Sequence, residues 1–585
     1  MYSFLRDLPR FLFFTGKGGV GKTSLACASA THLADEGRRV LLVSTDPASN
    51  VAQVFGQPIG NRITAIRAVP GLDAIEIDPQ QAADDYRERI IGPVRNLLPE
   101  AEIASITEQL SGSCTTEVAS FNEFTGLLAD DSRIEGYEHI VFDTAPTGHT
   151  IRLLQLPGEW TSFLDDGKGD ASCLGPMAGL DKTRATYASA LARLSDPSLT
   201  RLVLVTRAQP STLVEAGRTA DELAHVGITE QHLVVNALLS DPGDDPLATA
   251  VHAREQRALS QLPPSLGRLT RTEVALRPNA VVGVDSLREL LNPHPQPVRP
   301  TGDTTAVEAN GLAELIDELA AQDHGLIMCM GKGGVGKSTV AAAVALALAE
   351  RGKTVHLSTT DPAAHLDDVL AGASDEHLSV SRIDPQAAIQ AYRDKVMRTK
   401  GARLDDAGRA QLAEDLMSPC TEEVAVFGEF SHLVSQARRQ FVVVDTAPTG
   451  HTLLLMDATG SYHRDIVRGM GPGQRPVTPL MRLQDPALTR IVIVTLPEAT
   501  PVQEAADLQS ELRRASIEPY AWVVNQSIAA ARTSSPLLSA RAAAEAPHLT
   551  EVSRLAARVA VVPLLPDEPT GSRGLHTLIP EPATL

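Results

Sequence analysis

The sequence predicts an α/β fold that occurs twice in tandem, each copy being a mostly parallel sheet flanked by helices. Short apolar runs rich in β-branched residues alternate with alanine-rich, helix-compatible segments, which is typical of buried parallel strands. These runs occupy residues 11–14, 40–43, 140–142, 202–205 and 233–235, and then residues 326–330, 355–357, 441–444, 491–494 and 522–524. The second observation is that long motifs recur at a spacing near 300 residues, which indicates two tandem domains rather than a solenoid.

Three motifs carry the duplication. Gly-Lys-Gly-Gly-Val-Gly-Lys-Thr at 16–23 recurs at 331–338 with serine in the last position, an offset of 331 − 16 = 315. Ser-Thr-Asp-Pro-Ala at 44–48 recurs as Thr-Thr-Asp-Pro-Ala at 359–363. Asp-Thr-Ala-Pro-Thr-Gly-His-Thr at 143–150 recurs unchanged at 445–452, an offset of 445 − 143 = 302. Because the offset shrinks along the chain, the second copy is shorter between its motifs.

The duplication defines the expected domain organisation. We predict a first domain over residues 1–290 and a second over 324–585, joined by a proline-containing linker at 291–323. The spacing of apolar residues at 311–321 predicts a helix that leads into the second domain. Polar, helix-rich stretches at about 79–132 and about 385–439 interrupt the two sheets, and we interpret them as inserted helical subdomains.

Composition limits the functional classes. The net charge of −20 argues against general nucleic-acid binding, which needs a basic face. We find no apolar run of membrane-spanning length, and the N-terminus lacks a signal-peptide pattern. The five cysteines are odd in number and widely spaced, so we expect free thiols in a reducing compartment. These features together predict a cytoplasmic protein.

The glycine-rich motif predicts a phosphate-binding loop, or P-loop, between a strand and a helix in each half. Glycines let successive backbone N–H groups point at phosphate oxygens, and the helix N-terminus adds its positive dipole end. We expect Lys22 and Lys337 to reach the β- and γ-phosphates of ATP, and the hydroxyls of Thr23 and Ser338 to bind Mg²⁺. The remaining residues predicted to contact nucleotide here are Gly16, Gly18, Gly19, Gly21 and Ser24, with Gly331, Gly333, Gly334, Gly336 and Thr339 in the second half.

Two aspartates in each half follow apolar strands. Asp143 and Asp445 are placed to hold the Mg²⁺ hydration shell beside the P-loop hydroxyl. Asp46 and Asp361 are candidates to orient the attacking water, although an Asp-Pro turn is the structural alternative. The segment that continues from Asp143 and Asp445 through proline and glycine is a candidate switch that responds to the γ-phosphate.

Taken together, these motifs resemble the ArsA family, the ATPases of bacterial arsenite and antimonite efflux. The resemblance covers nearly the whole chain and implies a monomeric chain that forms an intramolecular pseudodimer, with two P-loop NTPase domains hydrolysing ATP at interfacial sites. It further implies stimulation by trivalent arsenic or antimony, delivery of the metalloid by a small metallochaperone, and docking to a carrier subunit in the inner membrane.

The resemblance also assigns roles within the nucleotide sites. It implies that Lys17 and Lys332 contact nucleotide phosphate, whereas the residues alone allow a solvated loop lysine. It implies that Asn236 and Asn525 read the adenine, whereas an asparagine after a strand is usually a turn residue.

A second group of residues matches the metalloid site of the family. Trivalent arsenic and antimony are soft and prefer thiolates. Cys114 and Cys420 occupy equivalent positions in the two halves, each expected near a helix N-terminus, where a thiolate is favoured. The resemblance adds Cys173, His149 and His451 to this set. Two further cysteines, one on the P-loop helix and one in the strand before a P-loop, are expected to be buried core thiols instead, and they are Cys27 and Cys329.

The alternative function is that of an ATPase that targets tail-anchored membrane proteins and has a similar ATPase core. Such proteins are usually single-copy homodimers, and the eukaryotic ones carry a Cys-x-x-Cys zinc pair, whereas this chain is a tandem duplication without that pair. The chain also has only nine methionines, so its helical insertions lack a concentration of methionine for an adaptable groove.

Overall fold

In the computed structural model, the chain forms two compact units. One unit contains Met1–Asp241 and His252–Pro297, and the other contains Pro242–Val251 and Val298–Leu585. The structure describes residues 2–45, 51–93, 95, 99, 103, 107, 110, 113–144, 180–292, 310–360, 366–373, 375–405, 408–409, 412–413, 416, 420–446 and 478–579.

The first half contains an eight-stranded sheet with the order β3-β4-β2-β5-β1-β6-β7-β8. Its strands are β1 (Phe11–Thr15), β2 (Val40–Ser44), β3 (Thr64–Ala65), β4 (Leu72–Glu76), β5 (His139–Asp143), β6 (Thr200–Thr206), β7 (Gln231–Leu238) and β8 (Thr270–Ala275). All neighbouring strands are parallel except the short β3, which pairs antiparallel with β4.

The second half repeats this arrangement in a seven-stranded, fully parallel sheet with the order β11-β10-β12-β9-β13-β14-β15. Its strands are β9 (Gly325–Met330), β10 (Val355–Thr359), β11 (Leu378–Arg382), β12 (Phe441–Asp445), β13 (Thr489–Thr495), β14 (Ala521–Ser527) and β15 (Val559–Pro563). All ten predicted strands are present, and the predicted α/β fold with two mostly parallel sheets is confirmed.

Helices connect the strands and cover both faces of each sheet. In the first half they are α1 (Lys22–Asp35), α2 (Val51–Phe55), α3 (Pro79–Ile91), α4 (Ser113–Ala129), α5 (Leu180–Ser195), α6 (Pro210–His225), α7 (Pro246–Ser260), α8 (Pro264–Gly267) and α9 (Val284–Leu290). In the second half they are α10 (Leu312–Ala320), α11 (Lys337–Glu350), α12 (Leu366–Leu370), α13 (Pro385–Thr399), α14 (Cys420–Gln436), α15 (Pro479–Leu483), α16 (Ala499–Arg514), α17 (Ile528–Ala531), α18 (Pro536–Leu555) and α19 (Gly571–His576).

The central strands are buried on both faces because helices cover both sides of the sheet. In β1, Phe11 and Phe13 face the cluster formed with α4, α5 and α6. Leu12 and Phe14 point to the opposite face, where α1 and α9 pack. Side chains in a strand alternate between faces, so an uninterrupted apolar run is what such a strand requires. This packing fixes the end of β1, where the P-loop begins.

The segments between β4 and β5, and between β11 and β12, are helical in both halves. Asp78 precedes α3 and accepts hydrogen bonds from the backbone N–H groups of Gln80 and Gln81. Asp384 caps α13 in the same way, and each aspartate is followed by a proline in the first turn. An aspartate cap followed by proline satisfies otherwise unpaired N–H groups and sets the backbone for helix entry. Equivalent helices therefore start at equivalent places in the two halves.

No helix in the described part of the chain is both long enough and apolar enough to cross a lipid bilayer.

Candidate functional site

Each P-loop connects a buried central strand to a helix. In the first half β1 ends at Thr15 and α1 begins at Lys22, and in the second half β9 ends at Met330 and α11 begins at Lys337. The residue before each helix is a glycine with a left-handed backbone, φ 92° at Gly21 and 93° at Gly336. A side chain would be strained in that conformation, so glycine lets the chain turn sharply into the helix. The predicted strand, loop and helix order is present in both halves.

A hydroxyl and a carboxylate meet beside each P-loop. The Thr23 hydroxyl donates to Asp143 Oδ2 at 2.7 Å, and the Ser338 hydroxyl donates to Asp445 Oδ2 at 2.7 Å. Asp143 and Asp445 are the last residues of β5 and β12, which lie next to the strands that precede the P-loops, and both are 0% exposed. Mg²⁺ prefers oxygen ligands such as hydroxyl and carboxylate groups, so the residues at this position fit a magnesium ion.

The P-loop lysines curl back onto their own loops. Lys22 Nζ donates to the Lys17 carbonyl oxygen at 3.3 Å, and Lys337 Nζ donates to the Lys332 carbonyl oxygen at 2.9 Å. Both Lys22 and Lys337 are 5% exposed. A charged ammonium group needs anionic or carbonyl partners when it is buried, and phosphate oxygens offer the same kind of acceptor. Both lysines therefore already have an oxygen acceptor within their own loops, and their contact with phosphate stays a prediction.

Two glutamates that sequence analysis missed are paired with the other loop lysines. Lys17 Nζ lies 3.1 Å from Glu215 Oε2, and Lys332 Nζ is paired with Glu504 Oε1. Glu215 lies on α6 and Glu504 on α16, at an offset of 504 − 215 = 289. The Asp-Pro motif at 196–197 recurs at 485–486 with the same offset of 289, so the duplication carried a signal for this pair.

Asn236 and Asn525 contact the P-loops. Both lie within a strand, two residues before the ends of β7 and β14, and not after it as the sequence suggested. Asn236 Nδ2 donates to the Val20 carbonyl oxygen at 2.9 Å, and Asn525 Nδ2 donates to the Val335 carbonyl oxygen at 2.9 Å. Both side chains are buried. This contact holds the loop at the residue before its last glycine, a role that sequence analysis did not anticipate. The predicted reading of adenine by these residues stays a prediction.

Some of the remaining predicted residues are described by the structure and others are not. Ser24 and Thr339 lie in the first turns of α1 and α11. Cys114 is the second residue of α4 and Cys420 the first of α14, so both lie at helix N-termini as predicted. Their side chains lie outside the described part of the chain, and so do five whole residues, which are Asp46, Asp361, Cys173, His149 and His451.

The strand ends that precede Asp46 and Asp361 are described. The backbone N–H of Thr45 donates to the Asp143 carbonyl oxygen at 2.9 Å, and Thr360 N–H donates to the Asp445 carbonyl oxygen at 2.9 Å. These bonds join the residue directly after β2 to the end of β5, and the residue directly after β10 to the end of β12, so they continue the pairing of neighbouring parallel strands. The chain therefore leaves each strand beside the buried carboxylate.

Cys27 and Cys329 are buried core thiols, as predicted. Both are free and 0% exposed, one on α1 and the other on β9. Burial raises the pKa of the Cys27 thiol, and the negative charge of Asp143 raises it further. Burial likewise raises the pKa of Cys329, with a contribution from Asp445. Because the thiolate is the form that binds soft metals, these two thiols are poor ligands.

Comparison with known proteins identifies the family of the chain. A protein-family model described as an anion-transporting ATPase matches residues 9–293, 324–482 and 480–580. The chain is similar to the arsenical pump-driving ATPase of Escherichia coli, with 56% identity over 581 residues covering 98% of this chain and 99% of that protein. The arsenical pump-driving ATPase of Acidiphilium multivorum is 55% identical, covering 98% of this chain and 99% of that protein.

A more distant relative covers about half of the chain. The ATPase GET3 of Debaryomyces hansenii is 29% identical over 329 residues, covering 52% of this chain and 94% of that protein. The two arsenical pump-driving ATPases match over the full tandem length, and the family model matches both halves. The chain therefore belongs to the anion-transporting ATPase family, the ArsA ATPases.

Proposed function

We propose that this ATPase is the catalytic subunit of an arsenite and antimonite efflux pump and is stimulated by the trivalent metalloid. The observation that carries the proposal is the paired P-loop site, in which Thr23 and Ser338 each donate to a buried strand-terminal aspartate. The two arsenical pump-driving ATPases described above, at 56% and 55% identity, support the choice of a metalloid as the activating ligand.

The reaction is the transfer of the γ-phosphoryl group of ATP to water. The bond between the γ-phosphorus and the bridging oxygen breaks, a bond to the water oxygen forms, and ADP and phosphate leave. Lys22 and Lys337 bind the β- and γ-phosphates, and we assign Asp46 and Asp361 to orienting the attacking water. Positioning and charge neutralisation supply most of the catalysis in such reactions.

Mg²⁺, when bound, neutralises charge on the β- and γ-phosphate oxygens. In this chain the hydroxyls of Thr23 and Ser338 and the carboxylates of Asp143 and Asp445 are the groups that would hold it, directly or through water. The duplicated contact supports the same ion in each half.

Metalloid stimulation is assigned to the cysteine set. We propose that Cys114, Cys173 and Cys420 bind As(III) or Sb(III), with His149 and His451 taking part. Cys114 and Cys420 start equivalent helices, where the positive helix end favours a thiolate. Both histidines lie six residues beyond an aspartate of the phosphate site, at 149 − 143 = 6 and 451 − 445 = 6. This short connection supports coupling between metalloid binding and hydrolysis.

The test is ATP turnover with and without antimonite in the unmodified protein and in the double variant Cys114→Ser/Cys420→Ser. We expect antimonite to raise turnover in the first and to have little effect in the second. The matched control is Cys27→Ala/Cys329→Ala, which removes two buried thiols and should keep the stimulation. Turnover that antimonite leaves unchanged in every protein would overturn the metalloid proposal.

The pump requires further proteins. We propose that the chain acts in the cytoplasm and associates with the inner membrane through an arsenite carrier subunit, and that a small metallochaperone supplies the metalloid. The alternative is the targeting of tail-anchored membrane proteins by an ATPase with a similar core. A pull-down separates the two, because the pump should retain a metalloid carrier, whereas a targeting factor should retain a hydrophobic tail peptide.

A further inference from the structure

The lysines outside the minimal P-loop motif form the same ion pair in both halves. Lys17 lies 3.1 Å from a carboxylate oxygen of Glu215, and Lys332 is paired with Glu504. Each pair lies within one compact unit, between a P-loop and the helix that follows the strand next to it in the sheet. Because the two pairs arise from independent copies of the fold, they are a feature of the architecture rather than of one loop conformation.

Burial makes these pairs more than surface contacts. The Glu215 side chain is 7% exposed and that of Glu504 is 13% exposed, whereas the lysines are 26% and 21% exposed. An exposed ion pair contributes little, but a carboxylate shielded from water depends strongly on its cationic partner. Separating the lysine from the glutamate therefore has a free-energy cost in each half.

The same P-loop residue takes part in a second internal contact. The carbonyl oxygen of Lys17 accepts from Lys22 Nζ, and that of Lys332 accepts from Lys337 Nζ. Each P-loop thus has both of its lysines bonded to protein acceptors that compete with nucleotide phosphate. A phosphate that takes Lys22 or Lys337 also removes a contact that fixes Lys17 or Lys332.

We propose that Glu215 and Glu504 hold Lys17 and Lys332 in a resting position, from which nucleotide phosphate must withdraw them. The proposal rests on the role in phosphate contact assigned above to these two lysines, and it makes the glutamates positioning residues that act through them. The carboxylate and the phosphate compete for one ammonium group, so the strength of the ion pair sets how much phosphate binding costs.

The test uses the full chain, without metalloid, and compares Glu215→Gln, Glu504→Gln and the double variant. Glutamine keeps the size of the side chain and removes its charge. We expect each single variant to bind a fluorescent ATP analogue about threefold to tenfold more tightly, with a matching fall in KM for ATP. Glu222 and Glu511 lie seven residues further along the same helices, are more exposed than Glu215 and Glu504, and pair with arginines of their own helices. They are the matched controls, since their change to glutamine should leave both values unaltered.

A double-mutant cycle separates the proposal from a merely structural role. In a Lys17→Ala background the change Glu215→Gln should no longer affect nucleotide affinity, because the ammonium group that it releases is absent. An equal effect with and without Lys17, weaker binding in Glu215→Gln, or no change at all would overturn the proposal. If Glu215→Gln does not fold, the cycle of Lys332→Ala with Glu504→Gln decides the question in the second half.

The outcome is independent of the metalloid proposal. Nucleotide affinity and basal turnover are measured without antimonite, so an absence of metalloid stimulation leaves this test intact. Conversely, antimonite can stimulate turnover normally while the glutamate variants bind nucleotide as the unmodified protein does, and only the positioning role then fails.

Discussion

A short hydrogen bond between a P-loop hydroxyl and a buried aspartate links the phosphate-binding motif to the sheet in each half. Thr23 and Ser338 lie in the first turns of α1 and α11, and Asp143 and Asp445 end the neighbouring strands. A hydrogen bond to a charged and fully buried carboxylate is worth more than one between neutral groups. The contact therefore stabilises the loop and gathers the oxygen donors proposed for Mg²⁺.

Replacing Thr23 by valine removes the hydroxyl and keeps the branched shape of the side chain. We expect Thr23→Val to lower the free energy of unfolding by about 1–2 kcal/mol, because Asp143 loses a donor. We also expect the Mg²⁺ concentration for half-maximal ATP turnover to rise about tenfold, which is the effect of losing roughly 1.4 kcal/mol of binding free energy. Denaturant unfolding and turnover across a Mg²⁺ titration measure the two effects.

Thr31 offers a control on the same helix. It is buried on α1, and in the part of the chain that the structure describes its hydroxyl has no hydrogen-bond partner. The change Thr31→Val should leave the Mg²⁺ dependence unchanged and alter stability by less than about 1 kcal/mol. If Thr23→Val and Thr31→Val have the same Mg²⁺ dependence, Thr23 does not serve the ion.

Single residues of the site were predictable to different degrees. The P-loop side chains follow from a motif whose chemistry is tied to its spacing, and the structure places Lys22, Thr23 and Asp143 together. Glu215 was not predicted, because a glutamate on a helix is usually solvated and only the fold shows that this one faces the P-loop. An acidic residue at a buried helix position that recurs at the offset of the duplication is the signal for such a pair.

At the scale of elements, β7 and β14 each contribute an asparagine that contacts the P-loop of the same half. Asn236 and Asn525 donate to the carbonyl oxygens of Val20 and Val335, directly before the last glycine of each loop. A Cβ at Gly21 would collide with the amide of Asn236. The asparagine therefore packs directly against the glycine that precedes the helix. Its hydrogen bond stabilises the loop independently of any contact with adenine.

Truncation of this amide should weaken phosphate binding itself. We expect Asn236→Ala to lower the affinity for inorganic tripolyphosphate about threefold to tenfold, because the loop loses a buried hydrogen bond that fixes its end. Calorimetric titration with tripolyphosphate and with ATP separates the two roles. The loss shared by both ligands measures the contact with Val20, and any additional loss with ATP measures the contact with adenine.

The duplicate Asn525→Ala provides the internal comparison in the second half. If both variants bind tripolyphosphate as tightly as the unmodified protein does, the asparagines do not support the loops. If only the affinity for ATP falls, the asparagines contact adenine and have no other role in binding.

Apolar runs in the sequence predicted the central strands of both sheets but not the strands near the sheet edges. Central strands such as β1 and β12 are buried on both faces and produce continuous apolar runs. Outer strands such as β4, β8 and β11 have partly exposed residues, so polar side chains interrupt their apolar pattern. Leu378–Arg382, for example, has no fully buried residue, and a search for apolar runs does not detect it.

At the scale of the whole molecule, the two halves have the same strand order apart from the additional short β3 of the first half, and they share every site contact described above. Both have the hydroxyl–aspartate bond, the lysine–carbonyl bond and the asparagine–loop bond. Duplication of a complete set of contacts, rather than of a motif alone, indicates that each half can bind a nucleotide. The motifs predict a nucleotide site in each half because the chemistry of a P-loop depends on local spacing, which duplication preserves, but they leave open whether both halves hydrolyse ATP equally.

Removing one P-loop lysine at a time tests this equivalence. We expect Lys22→Ala and Lys337→Ala each to reduce nucleotide binding from two sites per chain to one and to lower ATP turnover by at least about half, because each lysine neutralises phosphate charge in its own half. Equilibrium binding of a labelled ATP analogue gives the stoichiometry, and steady-state assays give the turnover. Lys353→Ala, which removes a half-buried lysine paired with the exposed Asp323, is the control and should retain both sites. Full turnover with two bound nucleotides in either P-loop variant would contradict the equivalence and assign hydrolysis to the other half alone.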